Sequence, residues 1–153
     1  MKGEAFMNIP NSGLPWDCIG LPGINGDNSS SGNAELCQWP LKLRLVSSVA
    51  PYFHKGQLLL AADCSAFTYK RFHSWVFKDR PVVIGCPYLD GGEFASKINE
   101  IIKINDIESV TVIQMDAPCC GTFSNTVMTA IRKSGKDIPL KLTTIFTEGE
   151  TDF

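Results

Sequence analysis

The chain has 153 residues, of which 44% are hydrophobic and 20% charged, a composition typical of one globular domain. Its formal net charge of −2 argues against nucleic acid as a partner, because phosphate binding usually requires a basic excess or patch. No apolar stretch is long enough for a membrane span, and residues 1–10 lack the pattern of a signal peptide. We therefore expect a cytoplasmic protein without a membrane partner, whose six cysteines serve metal binding or redox chemistry rather than disulfides.

The first part of the chain differs in composition from the rest. Residues 1–35 are predicted to form an irregular N-terminal arm, because Gly, Pro, Ser and Asn dominate it without periodicity. A single domain is predicted over residues 36–153. Its first element is expected to be a short edge strand from Leu41 to Leu45, where leucines alternate with basic residues.

Apolar runs and helical spacing alternate along the remaining sequence. Four runs predict strands buried on both faces: Leu58–Ala62, Val82–Gly85, Val110–Met115 and Leu140–Phe146. Apolar residues at helical spacing predict three helices between them: Phe67–Phe77, Phe94–Lys103 and Phe123–Lys133, the last ended by Gly135. The alternation predicts an α/β fold of three layers, with a mostly parallel sheet of four to five strands and helices on both faces.

Four cysteines directly follow the predicted buried strands. Cys64 follows the first strand, Cys86 the second, and Cys119 and Cys120 the third. The carboxyl ends of parallel strands share one edge, where ligands bind in open α/β sheets, so we expect these cysteines to form one site. Thiolates are soft ligands suited to iron–sulfur clusters and to zinc. The sequence therefore predicts a thiolate metal site at this edge.

Other residues near these cysteines have two possible roles each. Gly85 and Gly121 would let the backbone approach a bulky cluster and offer N–H groups to its sulfides, or they are ordinary turn glycines. His73 is a candidate cofactor ligand or proton donor, or a packed helix residue. The carboxylates next to the cysteine turns are expected to cap the helices that follow: Asp63, Asp90 and Asp116.

Several motifs together resemble a known family. They are Gln38-Trp39-Pro40, Ala50-Pro51-Tyr52-Phe53, Ala61-Ala62-Asp63-Cys64, Phe72-His73, Gly85-Cys86-Pro87-Tyr88-Leu89-Asp90 and Pro118-Cys119-Cys120-Gly121. These motifs resemble bacterial and archaeal 4Fe-4S ferredoxin-type iron–sulfur binding proteins. The last two are also similar to the CCG motif of heterodisulfide-reductase-type subunits, although the late Cys-x-x-Cys of that motif is absent. The resemblance implies a 4Fe-4S cluster on Cys64, Cys86, Cys119 and Cys120.

Many proteins of the resembled family carry a cysteine-rich, ferredoxin-like segment before the Gln-Trp-Pro motif. In this chain the corresponding region holds only Cys18 and Cys37, without Cys-x-x-Cys spacing. Either residue taken alone is expected to be a small buried side chain or an exposed thiol. The sequence therefore gives no sign of a second cluster.

Two classes of function are consistent with such a site. The first is a cluster-binding electron-transfer protein that works with a redox partner protein. The second is an enzyme that acts on a small thiol or sulfur substrate, in desulfuration or disulfide chemistry. It would use vicinal thiols, or a three-thiolate cluster whose fourth iron is open or bound by Asp63, His73 or Cys37. A structural zinc site is a third alternative.

Overall fold

The computed structural model describes residues 38–73 and 80–148 of the chain. The predicted N-terminal arm (residues 1–35), which contains Cys18, lies outside these residues, and so does Cys37. Within the described ranges, every helix is too short or too polar to cross a membrane.

In the part of the chain that the structure describes, the fold is built on a four-stranded parallel sheet in the order β2-β1-β3-β4. Its strands are β1 (Gln57–Ala62), β2 (Val82–Gly85), β3 (Ser109–Met115) and β4 (Leu140–Ile145). The predicted parallel α/β sheet is thereby confirmed. β1 lies between two neighbours and its residues from Leu58 to Ala62 are all buried, as expected for a central strand covered on both faces. β4 lies at an edge with exposed Lys141 and Leu142, so full burial was the wrong expectation there.

The α-helical segments whose two ends both lie in the described ranges are α1 (Ser65–Thr68), α2 (Pro87–Asp90), α3 (Gly92–Ile104) and α4 (Phe123–Ser134). The two long helices, α3 and α4, confirm the predicted crossovers and contact each other along one face of the sheet. The rings of Phe94 in α3 and Phe123 in α4 meet edge to face at 4.9 Å between centroids. Right-handed crossovers place α1 on the opposite face, because β2 lies on the other side of β1 from β3. Gly135 ends α4 in the left-handed conformation, as predicted.

Two predicted elements are wrong in extent. The segment from Leu41 to Leu45 is not a strand, apart from one parallel bridge between Lys42 and Ile84. The N–H of Leu45 donates to the carbonyl of Lys42 at 2.8 Å, which turns the chain away from the sheet and leaves Leu45 exposed. The helix predicted from Phe67 to Phe77 instead begins at Ser65, is interrupted after Thr68 and resumes at Phe72 and His73. Residues 74–79 lie outside the described ranges.

The segment before this turn covers the free edge of β2. The side-chain amide of Gln38 pairs with the backbone of Val82, donating to its carbonyl at 2.7 Å and accepting from its N–H at 2.9 Å. Further along, the Leu43 N–H donates to the Ile84 carbonyl at 2.8 Å, and the Ile84 N–H donates to the Leu41 carbonyl at 2.9 Å. These bonds satisfy the edge of β2 and bring Lys42 to its carboxyl end.

Candidate functional site

The chain leaves the neighbouring parallel strands β1 and β3 towards opposite edges of the sheet. From β1 the chain continues to β2 on one side, whereas from β3 it continues to β4 on the other. The connections therefore diverge above these two neighbouring strands, and in open α/β sheets ligands bind in the resulting crevice. Cys64 follows β1, while Cys119 and Cys120 follow β3, so the two turns flank this crevice. Cys86 follows β2, the other neighbour of β1.

The turn that carries Cys64 is fixed by hydroxyl groups. Ser65 is fully buried, and its Oγ donates to the carbonyl of Ala62, the last residue of β1, at 2.7 Å. The Thr68 hydroxyl lies 3.2 Å from the Cys64 carbonyl. The thiol of Cys64 is exposed. The sequence therefore presents this thiol at the surface on a short, internally bonded turn.

The turn that carries Cys86 is fixed by a carboxylate. Pro87 begins α2, a position where its missing N–H costs no hydrogen bond. The backbone N–H of Cys86 donates to Oδ2 of Asp90 at 2.8 Å. The Asp90 side chain is only 4% exposed, so this carboxylate is almost completely removed from water. Cys86 itself is half-buried.

An ion triad joins the Cys64 and Cys86 turns. Lys42 Nζ lies 2.5 Å from Oδ2 of Asp63 and 3.1 Å from Oδ2 of Asp90. Burial acts to lower the pKa of Lys42, but its hydrogen bonds to the two carboxylates outweigh burial and hold that pKa above 10.5. Neither carboxylate caps the helix that follows it in the chain, so the expected capping role is wrong for both. The Asp116 side chain is exposed.

The role of Lys42 was not predicted from the sequence. Lys42 had the pattern of a solvated lysine in an edge strand, and its partners lie far away in the chain. The available signal was indirect: Asp63 and Asp90 each lie within four residues of a predicted ligand cysteine, and both require a cation if buried.

Cys119 and Cys120 occupy one turn of 3₁₀ helix, Pro118–Cys120, which contacts α2. The Cys119 thiol is exposed and the Cys120 thiol is buried. Burial raises the pKa of Cys120, a hydrogen bond with the Met115 backbone opposes this, and the nearby thiols of Cys119 and Cys86 raise the pKa further. The turns after β2 and β3 thus bring Cys86, Cys119 and Cys120 into one neighbourhood.

The predicted cofactor-binding residues have mixed surroundings. A Cβ on Gly85 would lie 2.9 Å from Cε2 of Phe94 and 3.3 Å from Oδ2 of Asp90, so close packing already accounts for this glycine. A Cβ on Gly121 would lie 3.4 Å from the Pro118 carbonyl oxygen, an ordinary van der Waals contact. His73 is exposed, with its ring edge to face with that of Phe72 at 5.9 Å. Cofactor binding by these three residues stays a prediction.

The four cysteines lie at one edge of the sheet, but their side chains are not arranged as a set of metal ligands. Within residues 38–73 and 80–148, no group of three His, Cys, Asp or Glu side chains is arranged to hold a metal ion. The donor types nevertheless suit an iron–sulfur cluster, because four thiols follow three neighbouring strands. Coordination through Cys64 together with Cys86, Cys119 and Cys120 therefore stays a prediction.

Comparison with known proteins agrees with the observed topology. The Rossmann-like domain family matches residues 50–151, which include all four strands. The chain is 32% identical over 103 residues to an uncharacterized protein of Archaeoglobus fulgidus, and the match covers 67% of this chain and 72% of that protein. No solved structure matches the chain. Because the family matches about two thirds of the chain and the sheet is parallel, the chain belongs to the Rossmann-like domain family.

Proposed function

We propose that this protein binds an iron–sulfur cluster, most simply a 4Fe-4S cluster, and serves in the cytoplasm as a redox or electron-transfer protein. One observation carries the proposal: three neighbouring strands, β2, β1 and β3, each lead into a turn with at least one cysteine. The resemblance of these turns to 4Fe-4S ferredoxin-type proteins supports the same conclusion. A bound cluster would supply one-electron redox chemistry at a potential set by its ligands and surroundings.

The proposed ligands are Cys64, Cys86 and at least one thiol of the Cys119-Cys120 pair. Adjacent residues point in different directions, and here one thiol of the pair is exposed while the other is buried. Three protein thiolates from three turns are therefore the simplest set. Cys64 and Cys119 are both exposed, which would leave the cluster accessible to a redox partner protein or to a small thiol.

A second candidate function rests on the vicinal pair itself. The exposed Cys119 thiol lies beside the buried Cys120 thiol, an arrangement suited to thiol–disulfide exchange on a small sulfur substrate. The Cys119 thiolate would attack a disulfide substrate, releasing one thiol and forming a mixed disulfide. Cys120 would then attack the Cys119 sulfur, releasing the second thiol and leaving a Cys119–Cys120 disulfide, which an external dithiol would have to reduce for a further turnover. A three-thiolate cluster with an open iron would offer a related route, by binding the substrate sulfur to that iron.

Metal and sulfide analysis of protein purified without oxygen tests the proposal. We expect about four irons and about four acid-labile sulfides per chain, with broad visible absorbance. Cys64→Ser and Cys86→Ser should each lower the iron content strongly, as should Cys119→Ser combined with Cys120→Ser. Cys18→Ser is the matched control, because its cysteine precedes the described domain and should leave the iron content unchanged.

Other metal contents would select the alternatives. Zinc without sulfide, retained against a mild chelator, would replace the cluster by a structural zinc site. Neither metal nor sulfide after anaerobic reconstitution would eliminate the cluster and leave the thiol-exchange function. A spectral shift of a bound cluster on addition of a small thiol would identify an open iron, and so favour the enzyme over the electron carrier.

A further inference from the structure

Lys42 connects two turns that are separate in the sequence. Its ammonium group contacts Asp63, 21 residues later in the chain, and also Asp90 in α2. Asp63 immediately precedes Cys64, and Asp90 holds the backbone N–H of Cys86. One cation is therefore bonded to both turns that carry proposed ligands.

The backbone of Lys42 is itself held in place. The flanking residues Leu41 and Leu43 exchange hydrogen bonds with Ile84 in β2, so that Lys42 forms a parallel bridge one residue before the end of that strand. The Lys42 side chain is 29% exposed, and its head group is directed to the two carboxylates instead of to water. Both the backbone and the ammonium group of Lys42 are therefore held in place by hydrogen bonds and ion pairs.

Lys42 is the cation that pairs with both carboxylates within residues 38–73 and 80–148. Oδ1 of Asp63 is buried and has no hydrogen-bond partner within the described residues. Within the described residues, the ion-pair partner of Asp90 Oδ2 is Lys42. Without the lysine, two carboxylates that now share one ammonium group would face each other in a partly buried site, and their repulsion would drive them apart.

We propose that Lys42 is a positioning residue, which fixes the spacing between the Cys64 and Cys86 turns through Asp63 and Asp90. The proposal rests on the proposed function for the nature of the ligand that these turns hold. The mechanical connection itself does not depend on that ligand, so it is testable in metal-free protein.

The first measurement is the alkylation rate of each cysteine in reduced, metal-free protein, followed by mass spectrometry. Cys86 is half-buried in the native chain, and in Lys42→Met we expect its alkylation to become about tenfold faster as its turn opens locally. Lys42→Arg, which still offers donors to both carboxylates, should restore most of the protection. Arg44→Met is the matched control, because it removes an exposed ion pair to Glu93 from the same segment.

The second measurement is the cluster content and reduction potential of the same variants after anaerobic reconstitution. Lys42→Met should bind less iron than the native chain and show a shifted potential, whereas Arg44→Met should match the native chain in both. If the native chain takes up no iron while Lys42→Met still exposes Cys86, the cluster proposal is refuted and the positioning role is retained.

A native alkylation rate at Cys86 in Lys42→Met would overturn the positioning role, whatever the metal content. Should Lys42→Met not fold, Lys42→Gln combined with Asp63→Asn removes the bridge without leaving two facing carboxylates. This double variant should also expose Cys86. If it folds and protects Cys86 as well as the native chain does, the positioning role is again refuted.

Discussion

The carboxylate of Asp90 accepts a hydrogen bond from the backbone N–H of Cys86 at 2.8 Å, from four residues further along the chain. This bond closes the turn between β2 and α2, and the same oxygen contacts Lys42. The turn that carries a proposed ligand is thus organised by a buried side chain.

Replacing Asp90 by alanine should destabilise the fold. The Cys86 N–H would lose its acceptor and Lys42 would lose one of its carboxylates, a combination expected to cost about 1–3 kcal/mol in the free energy of unfolding. Asp90→Asn keeps an acceptor for the N–H and should lose less. Urea unfolding of both variants measures the difference. Asp116→Ala removes an exposed carboxylate after β3 and should leave the stability unchanged; equal losses in Asp90→Ala and Asp116→Ala would contradict the role of Asp90.

Gly85 and Gly121 should respond differently to alanine. The added Cβ at Gly85 would lie 2.9 Å from the Phe94 ring, which is itself fixed against Phe123. We expect Gly85→Ala to cost about 1–3 kcal/mol of stability through overpacking. Gly121 has φ −59° and open surroundings, so Gly121→Ala should be close to neutral in chemical unfolding. A neutral Gly85→Ala would show that Phe94 is free to move aside.

The same pair of variants separates packing from cofactor binding. If Gly121 lies against a cluster, Gly121→Ala should lower iron uptake while the stability of the metal-free protein stays native. If iron uptake is also native, Gly121 is an ordinary turn residue.

How well the sequence predicted an element depended on whether the interactions that form this element leave a local pattern in the sequence. Continuous apolar runs predicted β1, β2 and β3 well, because burial on both faces leaves a local signature. The Leu41–Leu45 strand was wrong, because a hydrogen bond from the Leu45 N–H to the Lys42 carbonyl turns the chain after a single bridge. The alternation of leucines carried no information about that turn.

The placement of the four cysteines at one edge of the sheet was predictable from the sequence, but the ion pairs of Lys42 beside them were not. Cysteines placed after consecutive strands share an edge by topology alone, so local pattern is sufficient to expect that. The pairing of Lys42 with two carboxylates depends on the position of an edge segment relative to β2, which no local pattern encodes. Nor did the sequence indicate that Phe94 requires glycine at position 85.

Lys136 should stabilise the end of α3 from a distant part of the chain. Its ammonium group donates to the carbonyls of Ile102 and Lys103 at 2.9 Å each and to that of Asn105 at 2.6 Å. A cation bonded to the last carbonyls of a helix also interacts favourably with the helix dipole. Lys136→Met should therefore lower the free energy of unfolding by about 1–2 kcal/mol. Lys70→Met, at an exposed position in the turn after α1, serves as the control in thermal unfolding and should change little.

Tyr52 should make the fold sensitive to strong alkali. Burial raises its pKa from 10.0 to about 12, because the phenolate is disfavoured away from water. The folded pKa lies above the unfolded one, so the contribution of Tyr52 is fully present below pH 10.0 and is lost as the pH rises towards about 12. Unfolding experiments across this range should show a smaller loss in Tyr52→Phe. An ordinary tyrosinate titration for all three tyrosines would contradict the prediction.

The reduced, metal-free protein should show an order of thiol reactivity that follows exposure. Cys64 and Cys119 are exposed and should be alkylated first, Cys86 is half-buried and should follow, and Cys120 should react last. Burial raises the pKa of Cys120 and so reduces its thiolate fraction at neutral pH, while it also hinders access of the reagent.

Time-resolved alkylation with mass spectrometry measures this order directly, and Cys119→Ser supplies the control. Because the neighbouring Cys119 contributes to the raised pKa of Cys120, its removal should speed the reaction of Cys120 modestly, with burial still the main barrier. Reaction of Cys120 as fast as Cys119 in the native chain would mean that the Pro118–Cys120 turn opens readily in solution. Both thiols of the pair would then be accessible to one metal site, and the three-thiolate set would lose its main support.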